Sequence, residues 1–275
     1  MASWASPHGP VNANRAGRRR SYNAGVSEPF PHPRESFTVH SFDVDQGGFL
    51  APRALCAFLQ EAAGRDAARR GVGMDELMAR GFAWVLQRLI VAVDEWPREG
   101  AILTVSTWPT RFGGATAERD FIALHADGHP LARATSRWAV ADLAVRRPVR
   151  LPPFLRGRPV GEPEAGLAMP PFLARAAEAA LLGERTLEVR RGDLDQVGHV
   201  NNTRYVEWSL EAVPEDWLKT RILAGLDVVY RREALRGDAV VTRAFATGGE
   251  ALAHALLLAS SREPLADLVT RWRPR

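Results

Sequence analysis

The sequence predicts an α+β fold in which one unit, a strand followed by a helix and then several strands, occurs twice in tandem. Two observations carry this. Residues 37–62 (FTVHSFDVDQGGFLAPRALCAFLQEA) align without a gap on residues 187–212 (LEVRRGDLDQVGHVNNTRYVEWSLEA) at a constant offset of 150. The end of each half also echoes the other, with Pro130, Leu131, Ala132, Arg137 and Trp138 recurring as Pro264, Leu265, Ala266, Arg271 and Trp272. Self-similarity on this scale marks one supersecondary unit used twice.

Each half opens on a short alternating strand, carried by Phe37 and Val39 or by Leu187 and Val189, and runs into an Asp/Gly turn. In the first half Pro52 suits the opening turn of a helix, with Leu55, Phe58, Leu59 and Ala62 at helical spacing. Val200, Val206 and Leu210 take the comparable part in the second. Strand-like runs complete the halves at residues 84–93, 102–108, 120–124 and 131–140, then 227–230, 239–245, 254–258 and 265–272. That order lays the helix against one face of an antiparallel sheet, the layout of a hotdog fold. Residues 151–186 contain Pro152, Pro153, Pro159, Pro163, Pro170 and Pro171 and then a short Ala-rich helical piece, and read as a linker. The expected organisation is a disordered tail over 1–34, a first hotdog over 35–150, the linker over 151–186 and a second hotdog over 187–275. The two units pair as an intramolecular pseudo-dimer, alone or within a further homodimer.

A chain of 275 residues, 46% hydrophobic and 25% charged, has apolar material for two such units. Its apolar runs, such as residues 82–86, fall far short of the ~20 residues of a membrane span, so none is expected. The single cysteine, Cys56, forms no internal disulfide, and His and Cys nowhere cluster at metal-ligand spacing, so neither metal nor cofactor is expected. A reducing cytoplasm fits this usage. The Arg-rich tail, with Arg18, Arg19 and Arg20 and no acidic residue before Glu28, also overlaps the make-up of a transit peptide, which keeps a plastid as the alternative. The net charge of +4 favours an acidic partner without identifying one.

The most informative positions are those where the two copies disagree. The second reads Asp195, Gln196, Val197, Gly198, His199, Val200, Asn201 and Asn202, where the first has Phe49, Ala51 and Pro52 in place of His199, Asn201 and Asn202. Polar and titratable groups thus stand in one copy only, at a turn feeding a helix. A carboxylate and a histidine there can manage protons, and exposed N–H groups of Gly198 and His199 would face a developing oxyanion. Asp195 taken alone reads equally well as a turn or cap residue, as Asp45 does in the first copy. Two Asn and a His are poor interior helix material, and a purely structural role for the whole string does not explain them.

The string DQVGHVNN with Tyr205 and Trp208 resembles the active-site segment of hotdog thioesterases, and its longer form, RRGDLDxxxHVNNxxYxEW, is similar to that of acyl-acyl carrier protein (acyl-ACP) thioesterases. The likeness extends to LCAFLQEAAG at 55–64, TWP at 107–109, RDF at 119–121, ARATSRW at 132–138 and RRPVR at 146–150. It implies hydrolysis of a fatty-acyl thioester on an acyl carrier protein, with catalysis in the second hotdog and the acyl-chain pocket in the first. It places the catalytic set on Asp195, His199 and Glu233, with Gly198, Asn201 and Asn202 as oxyanion or supporting residues; Asn201 and Asn202 also read as braces of the helix start. Without the resemblance, Glu233 in YRRE would read as a surface ion pair. This chain departs from the plant pattern at Val197, where the family has Asn, and at Ala234, where it has Cys; Cys56 lies in the first copy's helix and is no substitute. Arg133, Arg137, Arg146, Arg147 and Arg150 are candidates to receive an acidic carrier. Two other readings stay open: an acyl-CoA thioesterase, and a non-catalytic acyl-thioester sensor. No nucleic-acid partner is expected, because the chain has no helix-turn-helix or zinc-finger pattern.

Overall fold

The computed structural model describes residues 32–163, 167, 169, 172 and 179–275, and the statements below concern these. Nearly all of the expected disordered tail and most of the Ala-rich piece of the linker lie outside the described residues. Eleven strands form one sheet: β1 (Arg34–Thr38), β2 (Phe82–Val93), β3 (Ile102–Gly113), β4 (Thr116–His125), β5 (Pro130–Asp142), β6 (Arg147–Val149), β7 (Leu181–Glu188), β8 (Arg221–Tyr230), β9 (Ala239–Ala246), β10 (Ala251–Leu258) and β11 (Pro264–Pro274). Their spatial order is β1-β3-β4-β5-β2-β8-β11-β10-β9-β7, antiparallel throughout, with β6 attached to β5. Read from either edge towards the β2–β8 seam, the two halves follow the same path, as the repeat requires.

Two helices lie on this sheet and touch each other, α1 (Pro52–Arg69) against β1 and β3 and the third helix against β9 and β10. The third helix, α3 (Asn202–Leu210), is half as long as α1, with 9 residues against 18. The cause is local. At the shared offset Gly64 stands where the second copy has Pro214, and proline both lacks an N–H and disfavours a helical residue before it. After that break the chain restarts as a short helix, α4 (Glu215–Thr220), whereas the first copy runs on to Arg69 and adds α2 (Met74–Met78). Leu55, Leu59, Ala62, Ala63 and Asp66 form the buried stripe of α1, and its apolar members join one core that continues through Val200, Tyr205 and Val206 of the second copy.

At the seam, Arg88 to Ala92 of β2 pair with Val229 to Gly225 of β8. Gly225 is required there, because a Cβ on it would meet the carbonyl oxygen of Val91 at 2.7 Å. Beside it the Arg88 guanidinium donates Nε–H to Asp227 Oδ1 at 2.9 Å and Nη2–H to Oδ2 at 2.7 Å, a bidentate pair with both side chains buried.

Two sequence expectations need correction. Arg34, assigned to the tail, is the first residue of β1, paired with Ser106. The opening strand of the second unit begins at Leu181 within the expected linker, not at Leu187. β7 is an edge strand with little burial, so its hydrophobic alternation is faint. The remaining described linker packs on the first unit, where Leu151 and Leu155 are buried and Trp108 Nε1 donates to the Glu162 carbonyl at 2.9 Å.

Candidate active site

The turn before α3 is built by Asp195. Its Oδ1 accepts the N–H groups of Val197 (3.0 Å) and His199 (3.1 Å), while its own N–H bonds the His199 carbonyl (2.8 Å) and its carbonyl accepts from Gly198 (3.1 Å). Gly198 sits at φ +85°, a conformation a side chain would strain. The first copy repeats this atom for atom: Asp45 Oδ1 accepts from Gly47 (2.8 Å) and Phe49 (3.2 Å), and Gly48, at φ +74°, donates to the Asp45 carbonyl. The structural reading of Asp195 is therefore real. It also corrects the expectation for Gly198 and His199, whose N–H groups are bound inside the turn and do not point at a ligand. Among the described residues Asp195 Oδ2 accepts no hydrogen bond.

His199 Nδ1 lies 3.1 Å from Glu233 Oε2, with the side chains 40% and 59% exposed. Glu233 follows β8, and its flanks are tied to α3. Tyr205 Oη accepts the N–H of Ala234 at 2.9 Å and donates to the Arg232 carbonyl at 3.5 Å, while the Val200 N–H bonds the Ala234 carbonyl at 3.1 Å. Burial pushes the Tyr205 hydroxyl up to about 12, so it stays neutral in this role. The first copy keeps the scaffold and lacks the titratable pair. There the Leu50 N–H bonds the Pro97 carbonyl and Phe49 bridges Arg98, as His199 bridges Leu235. Trp96 thus stands in Glu233's place and Phe49 in that of His199, with the Arg98 guanidinium 4.1 Å from the Phe49 ring.

Asn201 is the N-cap of α3, its Oδ1 accepting from Thr203 N–H (3.0 Å) and Thr203 Oγ1–H (2.8 Å). It braces. Asn202 does not: its side chain has no hydrogen bond among the described residues and lines a narrow crevice with Cys56 and Tyr230. The Cys56 thiol is buried and pushed up to about 12, which removes it as a nucleophile. A cavity of about 460 Å³ lies between α1 and the sheet of the first unit, over the small residues Ala57, Ala63, Gly64 and Ala67, and meets the second copy only at Gln196, Asn201 and Thr203. Gly64, which lets α1 run on, therefore also shapes the cavity.

Of the five candidate arginines, Arg137 is committed to Glu118 (2.9 Å) and Arg133 lies 4.0 Å from Asp94. Arg146, Arg147 and Arg150 are exposed, without an ion pair among the described residues. No group of three His, Cys, Asp or Glu among those residues could hold a metal ion, and no described helix is long and apolar enough to cross a membrane.

Comparison with known proteins bears on this arrangement. Residues 32–156 match the acyl-ACP thioesterase N-terminal domain and residues 178–274 the acyl-ACP thioesterase C-terminal domain. A palmitoyl-acyl carrier protein thioesterase, chloroplastic, of Gossypium hirsutum is 29% identical over 265 residues, which cover 88% of this chain and 63% of the cotton protein. The chain thus spans under two thirds of that relative's length. The solved 12:0-ACP thioesterase from Umbellularia californica superposes with a TM-score of 0.77 at 25% identity, over 91% of this chain and all of that one (100%). An acyl-ACP thioesterase from Bacteroides thetaiotaomicron, at 24% identity and TM-score 0.78 over 88% of this chain and 97% of that one, shares the fold.

Proposed function

Because the chain belongs to the acyl-ACP thioesterase family, matched across both of its domains, we propose that it hydrolyses a fatty-acyl thioester on acyl carrier protein to free fatty acid and holo-ACP. That reaction ends or diverts fatty acid synthesis. The observation that carries the reading is the convergence of Asp195 with the His199–Glu233 pair, 3.1 Å apart, on a turn whose Gln196 and Asn201 line the large cavity.

The roles follow from the bonds each group has left to make. Asp195 spends Oδ1 on its turn and keeps Oδ2 for chemistry: it takes a proton from water attacking the carbonyl carbon, or attacks that carbon itself before water cleaves the anhydride. The carbonyl π pair moves to oxygen, and its return expels the sulfur with breakage of the C–S bond. His199, oriented by Glu233, gives the leaving thiolate its proton. Water's oxygen ends in the carboxylic acid. The acyl chain occupies the first unit's cavity, and the exposed Arg146, Arg147 and Arg150 receive the acidic carrier.

Thiol release from matched palmitoyl-ACP and palmitoyl-CoA, with His199→Ala as control, tests the reading. Faster, His199-dependent release from ACP, with a KM that rises with salt, is the expected result. Preference for CoA makes the protein an acyl-CoA thioesterase, and binding without release over a panel of chain lengths makes it a sensor. Cytoplasmic residence belongs to the same proposal, and plastid import of the tagged protein would overturn it.

A further inference from the structure

With the Gly198 and His199 N–H groups bound inside their turn, the developing oxyanion needs a donor from elsewhere. Three side chains line both the large cavity and the narrow crevice at Asn202 and Tyr230, and so stand where the two meet: Gln60, Trp138 and Thr203. Trp138 commits its Nε1–H to Ser136 Oγ at 2.8 Å, and Thr203 commits its hydroxyl to Asn201 Oδ1 at 2.8 Å. The half-buried Gln60 carboxamide has no hydrogen bond among the described residues. It is the one of the three with N–H groups to give.

The pseudo-symmetry points to the same residue. A paired fold has two equivalent places where the turn of one copy meets the helix of the other. At one of them Asn201 and Asn202, on the same turn and helix start as Asp195 and His199 of the second copy, line the cavity and the crevice together with Gln60 of the first. The counterparts of His199, Asn201, Asn202 and Gln60 are Phe49, Ala51, Pro52 and Leu210, of which Phe49, Ala51 and Leu210 pack against the apolar core. Each asymmetric position is polar on the same side of the pseudo-axis. We infer that Gln60, from α1 of the first unit, is a catalytic residue of the second unit's site: its Nε2–H bonds the thioester carbonyl oxygen and holds the negative charge that arrives there when the π pair shifts. The inference rests on the thioesterase reading. It makes the site composite, incomplete without the first unit.

The test uses Gln60→Leu, which installs the residue of the other copy, and Gln60→Glu, which keeps the shape but replaces the donor with an acceptor. Both should lower kcat on acyl-ACP by about 10²- to 10³-fold, the loss of one oxyanion donor. KM should stay within about threefold of the parent, the mark of an interaction made only in the transition state. Thermal midpoints should be unchanged, and if Gln60→Leu alone disturbs folding, Gln60→Glu decides. Parental kcat in either folded variant, or a loss confined to KM, overturns the inference and leaves the thioesterase reading standing. A parent protein that turns over no acyl-ACP overturns both.

Discussion

Asp195 ties Oδ1 into its turn and leaves Oδ2 for the proposed chemistry, and a single substitution separates the two. Asn at this position keeps an Oδ1 acceptor for the Val197 and His199 N–H groups but has no carboxylate, so Asp195→Asn should fold like the parent and lose about 10²- to 10⁴-fold in kcat. Asp45→Asn, in the matching turn with no histidine beside it, should leave kcat unchanged. Steady-state kinetics on the two variants decide the matter: equal effects would mean that Asp195 serves only its turn. In the sequence the two aspartates are indistinguishable, and their neighbours alone tell them apart. His199 and Asn202 were legible for that reason, whereas Gln60 was hidden because Gln in an amphipathic helix reads as solvated surface.

Among the elements, the β2–β8 strand pair bears the greatest demand, since it alone joins the two units' strands into one sheet. Its Arg88–Asp227 pair is buried, and deleting Asp227 takes the bidentate counter-charge from a guanidinium held out of water. Asp227→Ala should therefore cost about 3–5 kcal/mol in denaturant unfolding, and the double change Arg88→Met with Asp227→Leu distinctly less. A double variant as unstable as the single one would show that the charge pair is not the issue. Helices tell a related story: Pro214 against Gly64 was readable as a helix stop, but that the longer α1 leaves a cavity beneath it depends on what packs below. The opening strand β7 was missed over Leu181 to Thr186 because an edge strand is bonded on one side and shows little apolar alternation.

Across the whole molecule, global stability is tied to pH through His254, buried in β10 with Nε2 2.8 Å from Thr270 Oγ1. Burial pushes its imidazole down from 6.5 to about 4. The unfolded chain then binds a proton that the fold refuses, so this group's contribution is fully present above pH ~6.5 and falls away towards pH ~4, by about 3 kcal/mol in all. Urea unfolding of the parent and His254→Leu over that range should show the slope in the parent and a flatter line in the variant; parallel lines would remove His254 as the cause. The sequence by itself determined the doubled α+β unit, the order of its strands and the side of the repeat that carries polar chemistry, because turn chemistry, periodicity and self-similarity are local and survive in one dimension. Only the tertiary structure decided which N–H groups remain free, that Tyr205 ties down both flanks of Glu233, and that Gln60 meets Asn202 across the units. The first depends on how the turn's side chain and backbone close on one another, and the other two on packing between segments 27 or more residues apart, whose contacts no single local pattern encodes.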